Sequence, residues 1–215
     1  MLDRRARLIV WAFLIGVIAI EGALSAMSFA DEADPAAALI HFVLVPSAPP
    51  AAWSLAGIIT LLYAAYAAVG SAVIRKHMLT PWTWGPYFAV RLVAVPMALI
   101  SGFFEEAFFR KTLMDMAMHQ GINMAGQIAI SAGAFGAVHA IWGVASGNWR
   151  GAWHAMLATA SLGAGLAFIY VLGGRAIGPC IFAHIAINLL IEPWLIITVT
   201  TNGWQRGMIK APAGS

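Results

Sequence analysis

The chain has 215 residues, 61% of them hydrophobic and 10% charged, with a mean hydropathy of +0.83. A soluble domain carries roughly a quarter charged residues, so this chain has too little polar surface to fold in water and no room for a large extramembrane domain. The net charge of +3 comes without a basic run or an aromatic-interleaved basic stripe, which excludes nucleic acid as a partner and leaves membrane topology as its meaning. The lone Cys180 excludes an intrachain disulfide and a Cys-x-x-Cys redox or metal motif.

Apolar stretches at 8–30, 52–74, 85–108, 123–145, 152–173 and 176–200 are each near the ~20 residues that cross a bilayer as a helix. Helices are required because an open sheet leaves unpaired backbone groups in lipid. The expected fold is all-α, a polytopic membrane helical bundle of about six transmembrane helices, with 1–215 forming a single integral-membrane domain. The apolar piece 36–45 is too short to span and is expected at the interface or as a re-entrant segment. Turn chemistry separates the stretches: Asp34-Pro35, Pro46 to Pro50, Pro81, Gly121 with Asn123, and Gly173-Gly174.

The N-terminal stretch has two readings. Arg4, Arg5 and Arg7 before an apolar run, with Ser28-Phe29-Ala30 after it, resemble a cleavable signal peptide. Apolar character continues past Glu21 for a full span, which favours an uncleaved first helix. Arg4, Arg5, Arg7, Arg75, Lys76, Arg150, Arg206 and Lys210 then share one side, and the acidic first loop lies on the other. The positive-inside rule places both termini in the cytoplasm; Arg110, Lys111 and Arg175 run against it. Trp82, Trp84, Trp149, Trp153, Trp194 and Trp204 fall near span ends, as an aromatic belt does.

Ionisable groups within a span cost ~3 kcal/mol each on insertion scales. The third stretch ends in Phe-Phe-Glu-Glu-Ala-Phe-Phe-Arg, 103–110. Glu106 and Arg110, at i and i+4, can pair on one helix face, while Glu105 points about 100° away and stays free for another neighbour. A free carboxylate in apolar surroundings suits a general base; a charge cluster capping the span explains the same residues. The fourth stretch carries Phe135-Gly-Ala-Val-His139, with Gly133 and Ala137 spaced to admit a neighbouring helix. In the sixth, His184 and Asn188 share one face. Alone, His139 reads as a structural interhelical hydrogen-bonding group, whereas His184 with Asn188 reads equally as a site or as an interhelical hydrogen-bonding pair. Together, Glu105, Glu106, Arg110, His139, His184 and Asn188 supply one pocket with a base, a proton shuttle and oxyanion donors.

Glu-Glu-x-x-x-Arg, Phe-x-x-x-His and His-x-x-x-Asn, in that order on successive apolar segments, resemble the CAAX-protease and bacteriocin-processing (CPBP, or Abi) family of intramembrane proteases. The approach Gly178-Pro-Cys-Ile-Phe-Ala-His184 resembles the family as well, and the likeness covers a core of 85–195. Lys111 departs from it, standing where a small Gly is usual, and the segments before 85 match nothing in detail. The resemblance implies an intramembrane endopeptidase acting on a membrane-anchored protein or peptide. Glu105 would activate water, His139 would pass the proton to the leaving amine, and His184 with Asn188 would hold the oxyanion, a type of donor worth ~2.7–4 kcal/mol in other hydrolases. Glu106 and Arg110 would orient the site. If the enzyme were metal-dependent, Glu105, His139 and His184 would be the zinc ligands; the missing His-Glu-x-x-His helix and the donor character of Asn188 favour no metal and no cofactor.

Two other readings stay open: a non-catalytic immunity or scaffold protein of the same family, and a small transporter whose buried charges line an ion path. The Ala-rich, Arg-over-Lys composition resembles proteins of GC-rich bacteria, giving an expected location in the bacterial inner membrane. The catalytic reading also makes a geometric demand. Glu105 lies near the end of the third stretch and His139 late in the antiparallel fourth, so the third helix must extend past Arg110 or kink at Pro96.

Overall fold

The computed structural model describes residues 4–70, 88–145 and 149–201. Among these every regular element is helical: α1 (Arg4–Met27), α2 (Pro35–Leu44), α3 (Pro50–Gly70), α4 (Phe88–Glu106), a π-helical segment (Ala107–Met114), α5 (Asp115–His119), α6 (Met124–Ala145), α7 (Trp149–Leu172) and α8 (Gly178–Thr201). Within the described residues, Pro50–Val69, Val90–His119, Met124–Ile141 and Trp149–Leu172 are long and apolar enough to cross a membrane, and Ile15–Met27 and Gly178–Pro193 are shorter apolar helices. The molecule is a polytopic helical membrane bundle. Of the cations and tryptophans used to orient it, Arg75, Lys76, Trp82, Trp84, Trp204, Arg206 and Lys210 lie outside the described residues, and so does the side chain of Trp194.

Turns fall where the sequence carries turn residues. Asp34 caps α2, its Oδ1 accepting from Ala37 N at 3.0 Å, and Pro35 takes the first helical position, where its missing N–H is no loss. Gly121 adopts φ 75° after α5, a conformation costly to residues with a Cβ, and Asn123 Oδ1 accepts from Gly126 N at 2.9 Å to open α6. The 36–45 piece is helix α2, with no buried residue; Phe42 nevertheless meets Phe29 and Phe103, ring centroids 5.7 Å from each.

The most buried apolar side chains belong to α7, α8, α3 and the α7–α8 connection: Leu166, Ile169, Tyr170, Ala183, Ala56 and, in the connection, Ile177 are fully enclosed. Outward faces are apolar as well, with Leu61, Leu62 and Val69 of α3 exposed, as suits a surface solvated by lipid. The α6–α7 crossing is tight at Gly136, where a Cβ would lie 2.6 Å from Met156 O. This corrects the expectation for Gly133, which has nothing within 4 Å of its Cβ position; the close helix–helix contact lies on the face one turn further along. Gly165 does meet a neighbour, Ile59 of α3 at 3.0 Å.

The third span is longer than its hydropathy. From Phe88 the chain stays helical to His119, through Pro96 and the π segment. Two of the charges beyond the apolar run are paired inside the fold, which lets the helix continue past them. Arg110 pairs with Glu106. Asp115 accepts from Tyr170 Oη at 3.0 Å and pairs with Arg175, which also bonds Gln127. Arg175 holds φ 67° at the α7–α8 turn, a strained conformation for a residue with a Cβ.

Candidate active site

Three helices bring the predicted residues together. α4 presents Glu105 and Glu106 at its last turn, α6 presents His139, and α8 presents His184. Glu105 Oε2 lies 3.7 Å from His139 Nε2 and 3.9 Å from His184 Nε2. That oxygen is buried and has no hydrogen-bond partner. It faces two imidazoles across gaps too wide for direct hydrogen bonds.

Both rings are fixed from behind. His139 Nδ1 lies 2.8 Å from Phe135 O, one turn earlier on its own helix; a carbonyl only accepts, so Nδ1 carries a hydrogen, and Nε2 is the nitrogen turned to Glu105. His184 Nδ1 lies 2.8 Å from Glu106 Oε1 and donates to that carboxylate. The Phe of Phe-x-x-x-His thus has two uses. Its carbonyl orients His139, and its ring packs 4.5 Å from the His139 centroid and 5.5 Å from that of His184.

Glu106 and Arg110 are both completely buried, with Arg110 Nε 2.8 Å from Glu106 Oε2 and Nη2 donating to Oε1 at 3.1 Å. A buried charge pair is tolerable only when its remaining donors and acceptors are engaged. Arg110 Nη1 donates to Ser131 Oγ at 2.7 Å, and Phe135 packs 5.3 Å from the guanidinium carbon. Glu105 and His139 retain 17% and 28% exposure against 2% for His184, so the cluster is open on the Glu105–His139 side and closed behind His184.

Asn188 sits one turn beyond His184 on α8. Its Nδ2 donates to Ser101 Oγ at 3.2 Å, and Ser101 donates to Met97 O at 2.8 Å. One amide N–H is therefore tied to α4 and the second remains. Close approach of α4 and α8 requires Gly102, whose Cβ would meet Ile185 Cγ1 at 2.7 Å and Ile185 N at 3.3 Å.

Four residues that sequence reasoning did not single out border the site: Ser131, Ser101, Gly102 and Glu192. Glu192 follows Asn188 by one turn on the same face of α8, and that spacing was a readable signal. Glu192 Oε2 and Glu21 Oε2 are buried without hydrogen-bond partners, close enough to His184 and Glu105 to interact with their charges. His154, by contrast, is exposed on α7 and bonds Arg150 O in its own turn.

The zinc alternative can be tested on the donors. Zinc bonds of 2.0–2.2 Å place tetrahedral ligand atoms about 3.4 Å apart. The imidazole nitrogens stand 3.7 and 3.9 Å from Glu105 Oε2, and among the described residues no three His, Cys, Asp or Glu side chains gather closely enough to hold a metal ion. As placed, the triad does not fit zinc.

The fold and the cluster define a helical membrane protein with a carboxylate–histidine site enclosed by its third, fourth and last long helices. Residues 87–190 match the family model described as type II CAAX prenyl endopeptidase Rce1-like. That range contains all three motifs, so this part of the chain is similar to the CAAX-protease and bacteriocin-processing family of membrane proteases. No curated protein and no solved structure matches it.

Proposed function

We propose that the protein is a metal-independent intramembrane endopeptidase of the bacterial inner membrane that hydrolyses a peptide bond in a membrane-anchored protein or peptide. The observation that carries this reading is the unpartnered Glu105 Oε2 facing two imidazole Nε2 atoms at 3.7 and 3.9 Å. Those gaps accommodate one water hydrogen-bonded to all three groups.

Glu105 takes a proton from that water as its oxygen attacks the carbonyl carbon. His139, its Nδ1 bonded to Phe135 O and its Nε2 turned to Glu105, relays the proton from Glu105 to the amine nitrogen as the C–N bond breaks. His184, held at Nδ1 by the Glu106 carboxylate, donates from Nε2 to the oxyanion in its imidazolium form. The second N–H of Asn188 supplies the other donor. Glu106 and Arg110 touch no substrate and fix His184.

Terminal-peptide proteomics on membranes from cells expressing the protein or Glu105→Ala tests the reading. A membrane-anchored protein that loses its processed terminus in the variant, at equal expression, supports it. An unchanged set of termini sinks it and favours the scaffold reading.

A further inference from the structure

Ser131 lies on α6, two turns before His139, and is completely buried. Its hydroxyl is engaged in both directions. It accepts from Arg110 Nη1 at 2.7 Å and donates to Phe109 O at 3.1 Å. The second bond anchors it to the backbone of the π segment, in which Arg110 itself sits. π turns concentrate at functional sites because the widened backbone redirects side chains. Here the segment begins one residue after Glu106, and its Arg110 reaches back to that carboxylate while a second donor reaches across to α6.

We propose that Ser131 is a positioning residue that sets the orientation of His184 through two intermediaries. The chain of contacts is continuous: Ser131 Oγ to Arg110 Nη1, Arg110 Nη2 to Glu106 Oε1 at 3.1 Å, and Glu106 Oε1 to His184 Nδ1 at 2.8 Å. Glu106 Oε1 is shared by Arg110 and His184, so a rotation of the guanidinium moves the oxygen on which His184 rests. Arg110 has no solvent exposure and cannot replace a lost partner with bulk water. With the hydroxyl removed, Nη1 is orphaned and the guanidinium turns to satisfy it, carrying the Glu106 carboxylate along. The serine couples α6, which holds His139, to the π segment behind the α4 acids. The two histidines are thereby kept in register on Glu105. The contact chain stands whatever chemistry the site performs; only its catalytic consequence rests on the protease reading.

The test uses the full chain, 15N-labelled at histidine, in lipid nanodiscs, with His184 assigned by its loss in His184→Gln. Ser131→Ala is expected to move the His184 Nδ1 resonance by more than its linewidth, and Ser131→Thr, which retains the hydroxyl, to restore it. Ser161→Ala removes an exposed hydroxyl that bonds only Leu157 O at 2.8 Å and should leave the resonance in place. If Ser131→Ala does not fold, Ser131→Cys replaces it, as a side chain of similar shape and weak hydrogen bonding. A His184 resonance unmoved in the folded Ala or Cys variant overturns the proposal. Once a substrate is identified, Ser131→Ala should process it at least ~10-fold more slowly, and Ser131→Thr near the parent rate. Absence of any substrate counts against the protease reading alone, because the resonance still decides the role of Ser131.

Discussion

Glu106 and His184, 78 residues apart in the chain, are joined by a 2.8 Å hydrogen bond in the buried interface of α4 and α8. Of the two adjacent glutamates, the fully buried one is thus committed to structure, through Arg110 and His184, and the other, 17% exposed, is left to face the two imidazole Nε2 atoms. This division gives the Glu-Glu pair its chemical meaning. Two neighbours on one helix turn point in different directions and hold different partners.

Removing Glu106 should therefore be a stability defect before it is a catalytic one. Glu106→Ala leaves Arg110 buried without its counter-charge, a change that costs about 3–5 kcal/mol. Adding Arg110→Met removes the orphaned charge and should recover most of the loss. Thermal unfolding in detergent should show a low midpoint for the single variant and a near-parental one for the double variant. Processing should stay absent in both, because His184 has lost its acceptor. A double variant as unstable as the single would show that the pair does not act as a unit.

Glu105→Gln should do the opposite. Glu105 Oε2 makes no hydrogen bond, so the isosteric amide disturbs no packing and removes only the base. Processing is expected to fall about 10²–10⁴-fold while the unfolding midpoint stays at the parental value. A midpoint that drops with the activity would mark Glu105 as a structural group.

Much of this site was legible in the sequence because its signals are local. Glu106 with Arg110 and Phe135 with His139 are i,i+4 relations, which any helix places on one face. The turns at Asp34-Pro35 and Gly121 follow from backbone constraints at single residues. The π segment was not legible: Ala107–Met114 has no composition that distinguishes it from an ordinary helix. The span's true end was hidden because hydropathy counts Arg110 and Asp115 as charges, whereas the fold pairs them with Glu106 and Arg175. Ser131 and Ser101 looked like small packing residues; their roles depend on partners 21 and 87 residues away. Gly133 and Gly136 differ only in helix phase, and the phase of α6 against α7 is fixed by the bundle rather than by α6 alone.

Metal removal should leave the activity intact. The donor separations of 3.7 and 3.9 Å exceed the ~3.4 Å that tetrahedral zinc demands. Purified protein should contain well under one equivalent of zinc by elemental analysis. Extended dialysis against a chelator, followed by assay in metal-free buffer, should change the rate by less than about two-fold. Loss of activity on chelation that is restored by zinc would place Glu105, His139 and His184 around an ion and displace the glutamate-activated water.

The close approach of α4 and α8 at Gly102 should be what aligns the catalytic groups. At Gly102 a methyl group would sit 2.7 Å from Ile185 Cγ1 and 3.3 Å from Ile185 N. The first contact can be relieved by moving a side chain; the second involves backbone, so Gly102→Ala must push α4 and α8 apart. That displacement lengthens both links between the helices, Ser101 to Asn188 and Glu106 to His184. Overpacking of this kind costs about 1–3 kcal/mol, but the larger consequence should be catalytic, since a misplacement near 1 Å can cost up to ~10²-fold. Ile185→Ala removes Cγ1 and leaves the backbone contact. Combined with Gly102→Ala it should return most of the stability and part of the activity, read as unfolding midpoint and processing rate on the same preparations. If Gly102→Ala processes substrate at the parental rate, the close α4–α8 approach is not what aligns the catalytic groups.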